Sequence, residues 1–447
     1  MANLSVKKVE VCRVAPKQGS PENQSSLPLT FFDLLWLRFP PVELLYIYQT
    51  SSTDSVLSQL KTSLSLALQH FPPLAGNLIW PQDSLKPLLS YVQGDAVSVT
   101  VAESDADFDH LINSVLLAAK DFSPLVPQLD VTDDRAAAMA LQITVFPNRG
   151  FSIGTAMHHA ILDWKTWAMF VKAWAHICKH EEEQALPSSL VPFYDRRVVK
   201  DPAGLGELYS KEHRYQDGRT DNRSLSTASL GKAPKATEDL IRGTFEFTRA
   251  LIQRLRADVT TKTASASSLH LSTFSLVCAY TWVCMVKAEE IKGGTTILIF
   301  AVDSRSRLDP PIPATYFGNC IVGRVAVAET KGLLSEDGLV VAVNAITEAL
   351  RSLEKGVLDG AEDWVSKFVD FSLYDRIYSI AGSHRLEVYD TDFGWGRPKR
   401  VEVISIDRTG AISLLDSKNG GGGVEVGLVL KKHYMEAFDA LFASLVH

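Results

Sequence analysis

The pattern of apolar and polar residues predicts strands and helices along the first part of the chain. The segments VEVCRVAP and ELLYIYQT predict strands. STDSVLSQLKTSLSLALQHF predicts an amphipathic helix, because Ser, Thr and Asp open it as capping residues and PPLAG ends it. ALQITVF and GFSIGTAMHHA flank the turn sequence PNRG, which predicts two strands joined by a tight turn.

A helix is predicted directly after this pair of strands. Trp167, Val171, Trp174 and Cys178 follow one another at spacings of four, three and four residues. Such spacing places all four side chains on one face of a helix. We therefore expect this face to be buried.

The amino-acid composition changes between residues 187 and 235. Pro, Ser, Asp, Arg and Gly dominate there, and the apolar periodicity fades. This composition is typical of a long connection. We predict a crossover segment over 187–235, between an N-terminal α/β domain over 1–186 and a C-terminal α/β domain over 236–447.

The second half of the chain again mixes both kinds of element. Helices are predicted at STFSLVCAYTWVCMVKA, GLVVAVNAITEALRSLE and KKHYMEAFDALFASL, and strands at TTILIFAVD, NCIVGRVAVAE, VEVISI, GAISLLD and VEVGLVL. The glycines of KNGGGG lie between two strands and open no helix, so they predict a hairpin turn rather than a phosphate loop. Mixed elements in both halves predict an α/β fold of two similar layered domains.

Composition and charge limit the class of protein. A chain of 447 residues is long enough for two domains. With 46% apolar and 22% charged residues, the composition is typical of a soluble globular protein. A net charge of −7 argues against a nucleic-acid partner, which needs a broad basic face. A small anionic ligand needs only a few local cations and stays open.

Cysteine usage and the absence of long apolar runs predict a cytoplasmic protein without membrane segments. The cysteines are odd in number, scattered and without a CxxC pair, which fits a reducing compartment. The N-terminus lacks the apolar core of a secretory signal. No run reaches the roughly 18 apolar residues of a membrane helix. The five cysteines are Cys12, Cys178, Cys278, Cys284 and Cys320.

The segment HHAILD carries the strongest candidate chemistry. His159 suits general-base work because the ordinary pKa of histidine lies near neutrality, and Asp163 can fix the local geometry. No metal is predicted, since neither HExxH nor a Cys/His cluster supplies further ligands. Nucleophilic Ser–His–Asp chemistry would need a GxSxG elbow, which is missing. The residues alone leave a purely structural pair open.

Motifs outside HHAILD resemble those of the plant BAHD family of coenzyme A-dependent acyltransferases. They are SLPLTFFD, HFPPLAGNL, VDSRSRLDPPIP, YFGNCIV and TDFGWGRPKRVE. With HHAILD in mid-chain, the resemblance runs from VEVCRVAP to the last helix. YFGNC and PFYDRRVVKDP are similar to the branch that acylates sugars on phenolic glycosides and anthocyanins, commonly with malonyl-CoA.

The resemblance implies a fold and a mechanism. Family members have two α/β domains of the chloramphenicol acetyltransferase type with a solvent channel at their interface. Coenzyme A enters from one face and the acceptor from the other. His159 matches the family's general base, which needs no acyl-enzyme. We expect acyl-CoA as a co-substrate, no tightly bound cofactor and a monomeric protein.

Asp163 matches the family aspartate that points away from the acceptor and braces the loop by pairing with an arginine. Arg305 is the expected partner, and Arg307 is the alternative. A buried carboxylate without its partner typically costs about 3–5 kcal/mol, so loss of either group is expected to impair folding as well.

The DFGWG motif is expected to shape the channel. Gly394 and Gly396 suggest a backbone bend, which Asp392 holds through charge or backbone hydrogen bonds. Trp395 either packs in support of the channel or donates its indole N–H to the oxyanion of the tetrahedral intermediate.

Residues for acyl-CoA are expected on two segments. Ser272 and Thr273 begin an apolar helix, where they either cap it or bind acyl-CoA. A malonyl donor also needs a cation for its free carboxylate, and Arg196 or Arg197 is the candidate. Asn319 of YFGNC completes the expected acyl-CoA residues.

The acceptor pocket is expected to include Thr30, Trp164 and Phe317. Trp164 departs from the family, which usually has glycine after the motif aspartate, and Trp167 lies where small residues are common. A bulky indole at Trp164 can narrow the acceptor side of the channel.

These features predict an O-acyltransferase that moves malonyl from malonyl-CoA to a sugar hydroxyl of a phenolic or flavonoid glycoside. The alternatives keep the reaction with acetyl-CoA or a hydroxycinnamoyl-CoA, or change the acceptor to another alcohol or an amine. A non-catalytic binding protein is the alternative from another class.

Overall fold

Three sheets, of six, seven and four strands, organise the residues that the structure describes. The structure is a computed structural model that describes residues 5–17, 24–180, 185–215, 221–226, 240–263, 269–367, 374 and 376–446. Its strands are β1 (Val6–Val14), β2 (Gln24–Pro28), β3 (Val42–Gln49), β4 (Asn77–Ile79), β5 (Leu88–Val92), β6 (Val97–Ser104), β7 (Leu116–Ala118), β8 (Arg135–Ala137), β9 (Met139–Phe146), β10 (Gly150–Met157), β11 (Leu240–Phe247), β12 (Thr295–Asp303), β13 (Ile321–Glu329), β14 (Arg376–Gly382), β15 (Arg400–Val403), β16 (Ile412–Asp416) and β17 (Val424–Lys431).

Helices cover these sheets. They are α1 (Phe31–Leu34), α2 (Val56–His70), α3 (Phe108–Asn113), α4 (Trp164–Lys179), α5 (Leu205–Tyr215), α6 (Arg249–Lys262), α7 (Thr273–Ala288), α8 (Thr330–Leu334), α9 (Gly338–Arg351), α10 (Trp364–Lys367), α11 (Ile406–Thr409) and α12 (Lys432–Val446). Each helix and strand predicted from an apolar pattern is present within a few residues of its expected position, although VEVISI forms a strand only over Arg400–Val403.

The first sheet has the strand order β1–β6–β9–β10–β3–β15. Its inner strands β9 and β10 are antiparallel, joined by the predicted tight turn, and every residue of both is buried. Burial on both faces is consistent with the absence of charged residues from both strands, whose polar members are Gln142, Thr144, Ser152 and Thr155. On one face α4 packs against α2, where the indole N–H of Trp174 donates to Ser63 Oγ over 3.0 Å.

The second sheet has the order β13–β12–β14–β16–β17–β11–β7. Its core is formed with α6, α7, α9 and α12. KNGGGG forms the predicted hairpin turn, because β16 and β17 pair antiparallel on either side of it. The turn requires glycine, since Gly420, Gly421 and Gly422 all have positive φ. The third sheet, β2–β5–β4–β8, is small.

The two large sheets exchange strands, so the sheets do not follow the expected boundaries in sequence. β15 comes from the C-terminal half but pairs with β3 of the first sheet. β7 comes from the N-terminal half and pairs with β11 of the second sheet. The division into 1–186, 187–235 and 236–447 remains a prediction for folding units. Helix α5 lies inside the expected crossover, of which residues 216–220 and 227–235 are outside the described part.

The link between β10 and α4 positions the HHAILD segment. The backbone N–H of His158 donates to the Ala138 carbonyl, and the N–H of Ile161 donates back to His158. Asp163 then caps α4, because its Oδ1 accepts from the Thr166 N–H over 3.0 Å. A tight turn between a buried strand and a capped helix fixes the direction of the side chains between them.

Candidate active site

His159 lies in the wall of a cavity of about 870 Å³ between the two large sheets. The cavity is lined from one side by residues such as Val42 and Trp164, and from the other by strands β12, β13 and β14. His159 is 8% exposed. Its Nδ1 is buried and has no hydrogen-bond partner of good geometry among the described residues. Nε2 is therefore the ring nitrogen available to a molecule in the cavity.

Aromatic side chains hold the imidazole of His159 from one side. The ring of Trp36 stacks on it with centroids 4.1 Å apart and planes 5° apart. Phe39 approaches edge-on at 6.0 Å. These contacts restrict rotation of the ring and leave its remaining edge toward the cavity.

His159 is a neutral imidazole at pH 7. Burial lowers its pKa to about 4, and this effect outweighs the opposite influence of the residue's own backbone, the Asp163 charge and the nearby Asn319 side chain. His158 has a similarly low pKa for the same reason, but it is fully buried and its Nδ1 accepts from the Ala160 N–H. Of the two adjacent histidines, only His159 lines the cavity.

Asp163 is turned away from the imidazole and forms an ion pair with Arg305. Its Oδ2 lies 2.8 Å from Arg305 Nη1 and also accepts from the Cys320 N–H over 3.0 Å. Both Asp163 and Arg305 are 1% exposed. Arg307, the alternative partner, is exposed. The carboxylate thus joins the motif loop to the YFGNC segment and has a structural position.

Arg305 fastens the YFGNC segment from the other side. Its Nη2 donates to the carbonyls of Tyr316 and Gly318 over 3.2 and 3.0 Å, and to Thr166 Oγ1 over 3.1 Å. One guanidinium therefore holds the start of α4 and the chain before Asn319 together.

Asn319 was expected to bind acyl-CoA, but it is fully buried beside His159 instead. Its Nδ2 donates to the His159 carbonyl over 2.9 Å and to Asp33 Oδ1 over 3.1 Å. Because its amide is engaged with the loop, Asn319 holds the backbone of the histidine and does not line the cavity.

Arg196 was expected to bind the donor carboxylate, and this assignment is also corrected. Its Nη1 lies 3.2 Å from Asp33 Oδ2 and donates to the Tyr316 hydroxyl over 2.7 Å. It is buried and does not line the cavity. Arg197 is exposed and pairs with Asp195. The charge of Arg196 balances the buried carboxylate of Asp33, at a position away from the cavity.

Asp33 is a central residue that the sequence reasoning missed. Its carboxylate is fully buried and accepts from Thr30, Asn319 and Arg196. Thr30, expected in the acceptor pocket, instead caps α1 as part of this group. The signal was present in TFFD, because a Thr and an Asp three residues apart form a capping box.

Trp164 and Phe317, both expected in the acceptor pocket, lie in different environments in the structure. Trp164 is half-buried and lines the cavity. Phe317 is fully buried and packs against Phe71 and Tyr194, away from the cavity wall. Phe317 therefore belongs to the core. Trp167, the other departure from the family pattern, is also buried in the core.

The DFGWG segment forms the expected bend. Gly394 and Gly396 have φ of +106° and +85°, which side chains disfavour. Asp392 Oδ1 accepts from both glycine N–H groups over 2.8 Å, and Oδ2 accepts from Lys179 over 2.7 Å. Burial alone would raise the pKa of Asp392, but Lys179 and the two backbone N–H groups bring it below the usual value.

Trp395 is too far from His159 to donate to an oxyanion there. Its ring meets Phe151 edge-on at 5.1 Å. Phe151 lies near the start of β10 and Met157 at its end, and at about 3.3 Å per residue these are about 20 Å apart. Since His159 follows Met157, Trp395 packs at the opposite end of the strand from the cavity.

Ser272 and Thr273 begin α7 as expected. Ser272 is the capping residue, because its Oγ accepts from the Ser275 N–H over 3.1 Å. Neither residue lines the cavity. Their role in acyl-CoA binding remains a prediction.

In the described ranges, no group of three or more His, Cys, Asp or Glu side chains is placed to hold a metal ion. A helix long and apolar enough to cross a membrane is not found in the same residues.

Comparison with known proteins decides the family. A model described as the Transferase family matches residues 4–445. The chain belongs to the BAHD acyltransferase family. It is 40% identical to phenolic glucoside malonyltransferase 1 of Arabidopsis thaliana, over 99% of this chain and 98% of that protein.

A second relative and a solved structure agree with this assignment. The chain is 41% identical to malonyl-CoA:anthocyanidin 5-O-glucoside-6''-O-malonyltransferase of Arabidopsis thaliana, over 99% of this chain and 98% of that protein. The crystal structure of vinorine synthase shares the fold, with a TM-score of 0.72 and 21% identity, over 99% of this chain and 98% of that one. This BAHD protein is an acyl-CoA-dependent acyltransferase, and its predicted two-domain fold is confirmed.

Proposed function

We propose that this BAHD enzyme transfers malonyl from malonyl-CoA to a sugar hydroxyl of a phenolic or flavonoid glycoside, with His159 as the general base. The observation that carries the mechanism is the position of His159 in the wall of a cavity between two sheets, where burial lowers the pKa of its imidazole to about 4. The names of relatives at 40% and 41% identity support malonyl as the donor group and a glucoside as the acceptor.

In this mechanism His159 takes up one proton from the acceptor and later gives it to the leaving thiolate. Nε2 of His159 takes the proton of the acceptor hydroxyl as that oxygen attacks the thioester carbonyl carbon. The C–S bond then breaks, and the departing thiolate takes the proton back from the imidazolium. The products are an ester and free coenzyme A, and the histidine returns to its neutral form.

The cysteines support direct transfer without an acyl-enzyme. None of the five lines the cavity. Burial raises the pKa of the Cys320 and Cys278 thiols well above the usual value, and that of Cys284 to about 12. A thiol held protonated and away from the substrate is a poor nucleophile.

Purified protein with malonyl-, acetyl- and coumaroyl-CoA and a panel of phenolic glucosides tests this proposal. Each glucoside is paired with its own aglycone, which lacks the sugar, and the products are read by mass. We expect one malonyl group added to the glucosides and none to the aglycones. Preference for an uncharged acyl group, or acylation of aglycones or amines instead, would overturn the proposed donor or acceptor.

A further inference from the structure

The described part of the cavity wall carries more cationic than anionic side chains, although the whole chain is acidic. Among the residues that the structure describes, Lys165, Lys172 and Arg385 line it, and Asp303 is the one carboxylate that does so. Most other described lining residues are apolar and add no negative charge to oppose these cations. The wall is therefore suited to an anionic acyl donor.

Lys165 is the cation that is joined to the catalytic segment by an unbroken chain of contacts. Its Nζ lies 2.8 Å from Asp303 Oδ2. Asp303 Oδ1 lies 3.0 Å from Arg305 Nη1, which in turn holds Asp163 at 2.8 Å. Arg305 is buried, whereas the side chain of Lys165 is 40% exposed. This series of alternating negative and positive groups therefore ends at the cavity with the ammonium group of Lys165.

Lys165 keeps donors for a ligand. An ammonium group has three N–H donors, and Asp303 accepts one of them. Asp303 shares its charge with Arg305, since Nη1 and the backbone N–H of Arg305 both donate to its Oδ1. Its hold on Lys165 is correspondingly weaker, while it still fixes the position of the ammonium.

Lys172 and Arg385 are less well placed than Lys165 to bind the carboxylate of a short acyl group. The free carboxylate of malonyl is only about 2.5 Å from the thioester carbonyl carbon, since two C–C bonds of about 1.5 Å separate them. Lys172 lies seven residues further along α4, about 10 Å in rise, and pairs with Glu387 at 3.3 Å. Arg385 is exposed.

We propose that Lys165, held by Asp303, binds the free carboxylate of the malonyl donor and so selects malonyl over uncharged acyl groups. This inference rests on the proposed function and replaces Arg196 and Arg197 as carboxylate-binding groups. Lys165 is thus a specificity-determining residue and takes no part in the proton transfer.

The test compares donors within each variant. Lys165→Met removes the charge and keeps the aliphatic stem, and the ratio of kcat/KM for malonyl-CoA to that for acetyl-CoA is measured with one acceptor. We expect this ratio to fall about tenfold or more, as loss of a charge-assisted hydrogen bond implies. Lys172→Met is the matched control, because it removes a cavity cation on the same helix, and its ratio is expected to stay within about twofold.

Two outcomes would overturn the role of Lys165: an unchanged ratio in Lys165→Met, or an equal fall in Lys172→Met. If Lys165→Met does not fold, Lys165→Gln replaces it, since its amide can still donate to Asp303 without a charge. Failure of the proposed function is seen separately, because wild-type protein would then fail to favour malonyl-CoA before any variant is made.

Discussion

At the scale of single residues, the protonation state of His159, the proposed general base, is expected to determine the pH range in which the enzyme works. A general base acts only when it is unprotonated. Burial is the largest influence on His159 and lowers its pKa to about 4, so the base form dominates throughout the neutral range. Asp163 does not counter this strongly, because its charge is balanced by Arg305.

This state predicts an unusual pH profile. Activity should be present above the lowered pKa and be lost as pH falls through about 4. We expect kcat/KM to be nearly constant between pH 7 and 6, with circular dichroism at each pH confirming that the protein is folded. Loss of half the activity near pH 6.5, the ordinary pKa of histidine, would contradict a buried neutral base.

The sequence predicted the contacts of some candidate site residues and not those of others, for a physical reason. The family motif predicted Arg305 as the partner of Asp163, and the structure places these two side chains 2.8 Å apart. Arg196 and Asn319 meet partners from distant segments, above all Asp33 in α1. Tertiary packing determines which side chains from three separate segments share one buried carboxylate. A local sequence pattern does not predict such a group.

At the scale of elements, the segment after β12 shows how one ion pair can hold two loops. Arg305 is 1% exposed and binds Asp163, whereas Arg307 lies two residues later and is exposed. Loss of one member of a buried pair leaves an unbalanced charge, which is far costlier than loss of a surface charge.

Matched substitutions test this difference. Arg305→Gln is expected to lower the free energy of unfolding by about 3–5 kcal/mol. Arg307→Gln, on the same segment, should change it by no more than about 0.5 kcal/mol. Denaturant unfolding measures both. Equal effects of the two substitutions would show that the Asp163–Arg305 pair does not hold the loops together.

Apolar patterns predicted most of the helices and strands that surround the site. They failed where the buried face of a helix includes polar side chains. Helix α4 has a strong apolar face, and its position was predicted within a few residues. Helix α5 was missed inside the crossover, because its buried face includes Ser210 and His213 beside Leu205 and Tyr209. A stripe that buries hydroxyl and imidazole groups gives no clear apolar period.

At the scale of the whole molecule, the cavity depends on two sheets that exchange strands. β15 follows the DFGWG bend and enters the first sheet, while Arg242 of β11 forms an ion pair with Glu402 of β15 at 2.9 Å. This exchange could not be predicted from sequence, because strand patterns do not specify pairing partners. The expectations of a monomer, of no nucleic-acid partner and of a cytoplasmic location remain predictions.

The central claim is that a single imidazole in this cavity transfers the proton between acceptor and thiolate. His159→Gln tests it most directly, with His180→Gln, an exposed histidine at the end of α4, as the control. With thermal unfolding unchanged, we predict that acyl transfer from acyl-CoA falls at least 100-fold in His159→Gln and stays near wild type in the control. A folded His159→Gln protein that keeps more than a tenth of the wild-type rate would contradict the account.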